Sequence, residues 1–223
     1  MKLALVPTPL GNLEDITLRA IRYLKECDLI LCEDTRHSSK LLQHLGIQKP
    51  LLSYHQNNEH HTLNKVVDRI KSNTLTCLIT DAGTPAISDP GFLLIRECIK
   101  EDIPVECLPG PTAFVPALVC SGLPAEKFVF EGFLPHKKGR ETRIKKIALE
   151  DKTTILYESP HRLIKTLDQL LTFCGPDRDC AVVREISKMH EEVFRGNLAS
   201  AKEWFENHEP KGEFVVLVSP QKD

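Results

Sequence analysis

The sequence predicts an α/β protein built from two domains. Three apolar, strand-like runs each end in a short loop rich in glycine and proline, and each loop leads into a helix-like segment. The same alternation restarts after the segment SGLPAEK at 121–127. Because alternation of this kind is typical of sheets covered by helices, we predict an N-terminal α/β domain over 1–122 and a C-terminal α/β domain over 123–223.

Apolar runs and helical periodicity locate the elements of the first domain. The predicted strands are KLALV at 2–6, DLILC at 28–32, LTCLIT at 75–80 and IPVECL at 103–108. The first predicted helix covers 15–26, and the second opens with EDTRH and stops at Gly46. The third contains Leu63, Val66, Val67 and Ile70 at helical spacing, and the last two cover 92–100 and 112–121. Asp34 or Thr35 is the expected N-cap of the second helix.

The second domain repeats the alternation. Its predicted strands are FVFEGF at 128–133, TTILY at 153–157, DCAVV at 179–183 and EFVVLV at 213–218. Its predicted helices lie near 140–149, around Leu163, Ile164, Leu167, Leu170 and Leu171, and around Leu198, Ala201, Trp204 and Phe205.

The glycine- and proline-rich loops indicate a ligand site. They are PTPLGN at 7–12, DAGTPAISDPG at 81–91 and PGPTA at 109–113. Glycine permits backbone conformations that other residues resist, and proline fixes the chain around it. Since the loops that follow parallel strands collect at the carboxyl edge of the sheet, where open α/β proteins bind ligands, we expect the site there.

Composition excludes several classes of protein. The 223 residues are 41% hydrophobic and 27% charged, with a formal net charge of -2, which describes an ordinary soluble chain without overall basic character. No segment reaches membrane-spanning length, and the apolar stretch at the N-terminus is too short for a signal peptide, so a cytoplasmic location is expected.

The eight cysteines form no CxxC pair and are expected to be reduced and mostly buried. Both GxGxxG and the P-loop are absent, and no metal site is predicted, because the adjacent His60 and His61 would diverge on a helix.

Charged and amide side chains cluster where predicted strands end. The first domain contributes Asn12, Glu14 and Asp15, then Glu33, Asp34, Arg36 and His37, and the second contributes Glu158, Arg162, Arg184, Glu185 and Lys188. For each residue, helix capping or a surface ion pair is the competing interpretation. Their shared location favours a site.

One segment is densely basic. It consists of HKKGR at 136–140 followed by Arg143, Lys145 and Lys146. Either a solvated helix face or a contact with a phosphate backbone accounts for such a run, and the residues alone leave both open.

Seven segments together carry a resemblance to a known family. They are VPTPLGNLEDITLRA, LILCEDTRH, DAGTPAISDPG, LPGPTA, FEGFLPHKKGR, LYESPHR and VVREISK. In this order, over about residues 3–218, they resemble the ribosomal small-subunit RNA (cytidine-2′-O)-methyltransferase branch of the tetrapyrrole methylase superfamily. The resemblance implies two α/β domains with S-adenosylmethionine in a cleft between them, usually in a homodimer. It also accounts for the missing GxGxxG, since this superfamily binds the cofactor through other loops.

The resemblance also implies roles for particular residues. The implied cofactor contacts are Leu10, Asp81, Gly83, Thr84, Pro85, Ile87, Thr112 and Ala113, with Tyr157 and Glu185 closing the cleft from the second domain. We favour Glu33, Asp34, Arg36 and His37 for work on the acceptor ribose, with Asn12, Glu158 and Lys188 as rivals. Lys137, Lys138 and Arg140 are the expected contacts to RNA of the small ribosomal subunit.

Two other functions remain open at the level of sequence. One is methylation of a tetrapyrrole or another small molecule, against which the basic run argues mildly. The other is a ribosome-associated binding protein that has lost catalysis. Many members of the branch carry a further small helical C-terminal domain, whereas this sequence ends at Asp223, just after its last predicted strand. If that domain helps to grip the ribosomal subunit, its loss affects the affinity for the substrate but not the methyl-transfer core.

Overall fold

A computed structural model describes residues 1–221 of the chain. Contacts within the chain group it into two compact units, Met1–Thr112 and the chain from Ala113 onward. The helix that follows Ala113 is grouped with the second unit by its contacts, whereas the sequence analysis ends the first domain at residue 122. The boundary at 122 stays a prediction.

The first unit alternates strands and helices as the sequence predicts. The strands are β1 (Leu3–Leu5), β2 (Leu29–Cys32), β3 (Leu51–Ser53), β4 (Thr76–Leu78) and β5 (Val105–Cys107), and the helices are α1 (Leu18–Glu26), α2 (Thr35–His44), α3 (Glu59–Ser72) and α4 (Phe92–Lys100). The helix predicted over 15–26 is shorter than expected. A 3-10 helix occupies Leu13–Asp15, and α1 begins only at Leu18, because the Thr17 hydroxyl accepts a hydrogen bond from the Ala20 N–H and caps it there.

The first sheet is parallel throughout, with strand order β3-β2-β4-β1-β5. Leu5, the last residue of β1, pairs with Leu78 of β4 and with Cys107 of β5. The three strands therefore end at the same level, and the three glycine- and proline-rich loops leave the sheet from neighbouring positions. β2, which leads into EDTRH, lies on the other side of β4.

Alternate residues of this sheet face two separate cores. Ala4 and Val6 pack in a cluster with Leu24 of α1 and Leu42 of α2. Leu3 and Leu5 pack on the opposite face with side chains of α3 and α4. Because both faces are covered, the strands are continuous apolar runs, as expected for a buried parallel sheet.

The second unit contains a mixed sheet. Its strands are β6 (Phe128–Phe133), β7 (Thr153–Glu158), β8 (Asp179–Arg184), β9 (Glu192–Asn197) and β10 (Phe214–Val218), and its helices are α5 (Phe114–Ser121), α6 (Arg140–Ala148), α7 (Pro160–Cys174) and α8 (Leu198–Asn207). The order is β6-β7-β10-β8-β9, in which β6 and β7 are parallel and every other pair is antiparallel.

The register of β10 explains why two predicted motifs meet. Phe214 pairs with Glu158 at the end of β7 on one side and with Arg184 at the end of β8 on the other. The carboxyl ends of β7 and β8 therefore flank the start of β10. The segments YESPHR and REISK leave the sheet at this edge.

The helices and the cysteines have two further properties that bear on the class of protein. None of the helices in the described residues is long and apolar enough to cross a membrane. All eight cysteines are free thiols, five of them buried, whereas Cys107 and Cys120 are exposed.

Candidate functional site

The loops after β1 and β4 are joined directly. Thr8 and Gly83 form a two-residue antiparallel bridge, in which the Thr8 N–H donates to the Gly83 carbonyl at 2.9 Å and the Gly83 N–H donates to the Thr8 carbonyl at 3.0 Å. The buried Thr8 hydroxyl also donates to the Thr80 carbonyl at 3.0 Å. PTPLGN and DAGTPAISDPG thus form one surface of backbone.

The loop after β5 completes this surface. The Thr84 hydroxyl is 2.9 Å from the Pro111 carbonyl, to which it can donate, and 2.6 Å from the Thr112 hydroxyl. A Cβ at Gly110 would lie 2.6 Å from the Pro7 Cβ, so only glycine fits between the first and third loops. The expectation that the loops collect at one edge of the sheet is confirmed for these three loops.

Gly83 lies at the centre of this surface, which we call the three-loop cradle: residues 7–12, 81–91 and 109–112. Its φ is +87°, a left-handed conformation, and a Cβ there would approach the Leu10 Cδ2 to 3.3 Å. Of the other predicted cofactor contacts in the first unit, Pro85 is buried and Ile87 is exposed. The glycine therefore brings main chain close to Leu10 without an intervening side chain.

Backbone strain coincides with two of the predicted motifs. Among residues 1–221, five residues other than glycine have positive φ, and four of them are Ala86 (68°), Ser88 (63°), Glu185 (51°) and Ser187 (62°). The first two belong to DAGTPAISDPG and the last two to REISK. A strained backbone conformation persists only where the surrounding structure holds it, and such conformations cluster at active sites and ligand sites.

Asp81 carries a buried oxygen that lacks a hydrogen-bond partner. This oxygen is Oδ1, and it has no donor within reach among residues 1–221. A buried carboxylate oxygen without a donor is costly, and a ligand that supplies a donor or a positive charge would remove that cost.

Glu33 follows β2 and lies near Asp81. The Thr80 hydroxyl donates to Glu33 Oε2 over 3.4 Å. Burial, and next the negative charge of Asp81, raise the pKa of Glu33 above its ordinary value. A carboxylate that binds protons more tightly than usual is the better proton acceptor.

The other members of EDTRH have different surroundings. Asp34 is the N-cap of α2, as predicted, and accepts hydrogen bonds from the Arg36 N–H and from Arg36 Nη2, both at 2.8 Å. The Arg36 side chain holds the pKa of Asp34 well below its usual range, so Asp34 is a weak base. Arg36 and His37 are exposed. Their role at the acceptor stays a prediction.

In the second unit, Glu185 is held in one position. Its Oε1 accepts from the Glu213 N–H at 2.8 Å and from Lys188 Nζ at 2.9 Å, and its side chain lies over Gly212, where a Cβ would overlap it. Burial disfavours the Glu185 carboxylate, but these hydrogen bonds outweigh it and lower the pKa of Glu185. Gly212 was not among the predicted site residues, since nothing in the sequence links it to a glutamate 27 positions earlier.

Lys188 is less suited to proton transfer than expected. Its Nζ lies 2.9 Å from Glu185 Oε1 and 2.8 Å from Glu213 Oε2. Burial works against the ammonium group, but the hydrogen bonds to Glu213 and Glu185 outweigh it and raise the pKa of Lys188. Lys188 therefore stays charged and cannot accept a proton.

Tyr157 and Glu158 occupy the end of β7 but have opposite environments. The Tyr157 ring meets the rings of Phe130 and Phe133 edge-on, with centroids 5.1 and 5.6 Å apart. The Glu158 side chain is fully buried, with Thr166 Oγ1 2.6 Å from Oε2 and the Ser159 N–H donating to Oε1 at 2.9 Å. The Glu158 carboxylate is committed to contacts within its own unit.

The basic run contains exposed cations and cations that already contact other side chains of the unit. Lys137 and Lys138 are exposed and form no ion pair within the described chain, whereas Arg143 is paired with Glu131. Arg140 is buried, at 5% exposure, and its Nη2 donates to Thr166 Oγ1 at 2.6 Å. The expected contact of Arg140 with RNA phosphate does not fit this position, because its guanidinium faces the interior of the unit.

Comparisons with known proteins agree with this architecture. The family model described as Tetrapyrrole (Corrin/Porphyrin) Methylases matches residues 2–202. Proteins named Ribosomal RNA small subunit methyltransferase I from Thermotoga maritima and Hydrogenobaculum sp. are 44% and 49% identical, covering 98% and 99% of this chain and 98% and 96% of their own.

Solved structures show the same fold at lower identity. Uroporphyrin-III C-methyl transferase from Thermus thermophilus, complexed with S-adenyl homocysteine, superposes with a TM-score of 0.70 at 20% identity, covering 98% of this chain and 97% of its own. Diphthine synthase superposes with a TM-score of 0.76 at 15% identity, covering 98% of this chain and 90% of its own. Because the family model matches residues 2–202, the chain belongs to the tetrapyrrole methylase family.

Proposed function

We propose that this chain is an S-adenosylmethionine-dependent methyltransferase that methylates the ribose 2′-hydroxyl of a cytidine in small-subunit ribosomal RNA. The observation that carries the proposal is the 44–49% identity to proteins named Ribosomal RNA small subunit methyltransferase I, over 96–98% of their length for two of them. The proposal includes a cytoplasmic location and a homodimer.

The three-loop cradle suits the cofactor. Leu10, Gly83 and Thr84 bring main-chain groups to one surface, and Asp81 Oδ1 supplies an acceptor without a donor of its own. A carboxylate favours a nearby cation such as a sulfonium or an ammonium group. Bound S-adenosylmethionine supplies a methyl group that is already activated by the positive sulfur.

Other predicted cofactor contacts extend the same proposal. Ile87 and Thr112 belong to the loops of the cradle, and Ala113 follows directly. Tyr157 and Glu185 contribute from the second unit. Glu185 is suited to a fixed contact, because the Glu213 N–H and Lys188 already hold it in place.

Glu33 is the proposed proton acceptor for the ribose hydroxyl. The pKa of Glu33 is raised by burial and by Asp81. The pKa of Asp34 is lowered by Arg36, and the raised pKa of Lys188 keeps that side chain charged at neutral pH. A positioned base contributes about 10²- to 10⁴-fold to such a transfer. Arg36 and His37, which are exposed beside it, orient the acceptor.

Lys137 and Lys138 are the proposed phosphate contacts. Both are exposed cations without an ion-pair partner in the described residues, so no internal contact has to be broken when they meet RNA. Arg140 is not included, because it is buried.

Methyl transfer to three substrates tests the proposal. The purified chain and labelled S-adenosylmethionine are incubated with small ribosomal subunits, with naked ribosomal RNA and with a porphyrinogen. We expect label in the ribosomal RNA. Label in the porphyrinogen alone would assign the chain to small molecules, and RNA binding without any transfer would make it a binding protein.

A further inference from the structure

A cluster of three ionic side chains and one hydroxyl packs beside residues 136–139 of the second unit, which we call the basic loop. Its members are Glu158, Arg140, Arg162 and Thr166, and we call it the arginine clamp. Side-chain exposure is 0% for Glu158, 5% for Arg140 and 18% for Arg162. None of these side chains is accounted for by methyl transfer.

One carboxylate serves both guanidinium groups. Glu158 Oε1 lies 3.2 Å from Arg162 Nε, and Oε2 lies 3.7 Å from Arg140 Nη2. The Thr166 hydroxyl donates a hydrogen bond to Glu158 Oε2 at 2.6 Å and accepts one from Arg140 Nη2, also at 2.6 Å. Glu158 thus fixes the orientation of two arginine side chains that belong to different helices, α6 and α7.

Both arginines also donate to the segment before the two lysines, while Arg140 Nε donates to Gln169 Oε1 at 2.7 Å. Arg162 Nη2 donates to the Leu134 carbonyl at 2.6 Å, and Arg140 Nη1 donates to the Pro135 carbonyl at 3.3 Å. Arg162 Nη1 also lies 3.5 Å from His136 Nε2. The contacts hold residues 134–136 from behind while leaving Lys137 and Lys138 exposed.

We propose that the arginine clamp positions the basic loop for its phosphate contacts, and that Arg162 and Glu158 are positioning residues for RNA. This inference rests on the proposed function. A loop held in its binding conformation loses less conformational freedom on association than a loose one, and the saving appears as affinity. The number of phosphates contacted does not change, because the lysines themselves are untouched.

Arg162→Lys tests the clamp, since it keeps the charge but loses the forked contact to Leu134 and His136. We expect about tenfold weaker binding to small-subunit RNA, an unchanged slope of affinity against salt, and unchanged cofactor affinity. Hydrogen exchange at the amides of residues 136–139 should be faster in the free variant. Arg178→Lys is the matched control, because Arg178 is also buried and donates to the carbonyls of Ser219 and Glu150, at 2.8 and 3.4 Å, neither of which belongs to the loop.

A double-mutant cycle separates positioning from a general loss of structure. In a chain that already carries Lys137→Ala and Lys138→Ala, Arg162→Lys should have no further effect on RNA affinity. An additive effect would overturn the proposal by showing that Arg162 acts independently of the lysines. An unchanged affinity in the single variant would overturn it as well.

Failure of the clamp and failure of the proposed function have different signatures. If the wild-type chain methylates ribosomal RNA but the cycle is additive, only the clamp is wrong. If the wild-type chain transfers no methyl group to RNA, the function itself is wrong. Glu158→Gln supplies a second variant, for which the same loss of affinity at constant salt slope is expected.

Discussion

At the scale of single residues, the account depends on backbone approach and on one carboxylate. Gly83 brings the second loop against Leu10 in a conformation that excludes most side chains. Asp81 leaves a buried oxygen without a donor, and its charge contributes to the raised pKa of Glu33. Each of these features leads to an experiment.

Gly83→Val should abolish cofactor binding. A Cβ at this φ is strained by about 1–2 kcal/mol and would also press on Leu10. We expect at least about a hundredfold loss of affinity in calorimetry with S-adenosylmethionine, equivalent to roughly 2.7 kcal/mol. Gly46→Val is the matched control, because Gly46 has φ +66° but nothing within 4 Å of the added Cβ. Equal affinities in two folded variants would remove Gly83 from the cofactor site.

Glu33→Gln should separate activity from stability. Loss of the proton acceptor should lower single-turnover methyl transfer by about 10²-fold or more. The pKa of Glu33 is raised in the folded chain, so the folded state binds this proton more tightly than the unfolded state does. The contribution of Glu33 to stability is therefore fully present below about 4.3, the unfolded value, and is lost as pH rises through the folded pKa, and the variant lacks this contribution.

Thermal melts at several pH values check the sign of this effect. The variant should melt at a higher temperature than the wild type near neutral pH, and the difference should shrink towards acidic pH. A variant that is less stable at neutral pH, or that transfers methyl groups normally, would contradict the role given to Glu33.

Asp34→Asn and Arg36→Ala test the remainder of EDTRH. Asparagine is as good an N-cap as aspartate, so the first variant removes the charge and keeps the helix start. We expect each variant to transfer methyl groups at least about tenfold more slowly at saturating cofactor, with cofactor affinity little changed. Normal single-turnover rates in both would return these two residues to a purely structural role.

At the scale of elements, sheet register determines which motifs meet. β1, β4 and β5 end level with one another, and β7 and β8 end beside the start of β10. The basic loop lies before α6, where Arg140 faces inward and the two lysines face solvent. In the proposed function, the loop therefore contacts phosphate through its two lysines and not through Arg140.

Replacing Lys137 and Lys138 by alanine should weaken RNA binding and flatten its dependence on salt. Each lost phosphate contact reduces the slope of log affinity against log salt by about 0.7 to 0.9. Cofactor affinity should not change. The control is Lys202→Ala with Lys211→Ala, since both lysines belong to the same unit but are paired with Asp168 and Glu209. Equal slopes in wild type and double variant would make the basic loop an ordinary solvated surface.

At the scale of the whole molecule, the sequence predicts all the central strands of both sheets and two of the four edge strands, β5 and β6. β1, β2 and β4 are continuous apolar runs because helices cover both faces of their sheet. β3 and β9 were not predicted. Both are partly exposed edge strands whose sequences, LLS and EVFRGN, are too short or too polar to form the apolar run that identifies a strand, whereas the edge strands β5 and β6 lie in the longer runs IPVECL and FVFEGF.

The candidate site shows the same division. The three loops of the cradle were predicted, because glycine and proline after an apolar run indicate a tight turn at a strand end. The parallel or antiparallel direction of strand pairing in the second sheet was not predicted, because the spacing of apolar residues does not encode it. The burial of Arg140 and the contact between Glu185 and Gly212 depend on residues far apart in the chain, which a local pattern cannot reveal.

The most direct test of the central claim is the chemical identity of the methylated nucleoside. Small ribosomal subunits that lack the modification are incubated with the purified chain and S-adenosylmethionine, and their RNA is digested to nucleosides for mass spectrometry. The account predicts 2′-O-methylcytidine, at about one per subunit, and about a hundredfold less of it in the same time with Glu33→Gln. A base-methylated nucleoside, or no methylated nucleoside from a chain that binds both RNA and cofactor, would contradict the account.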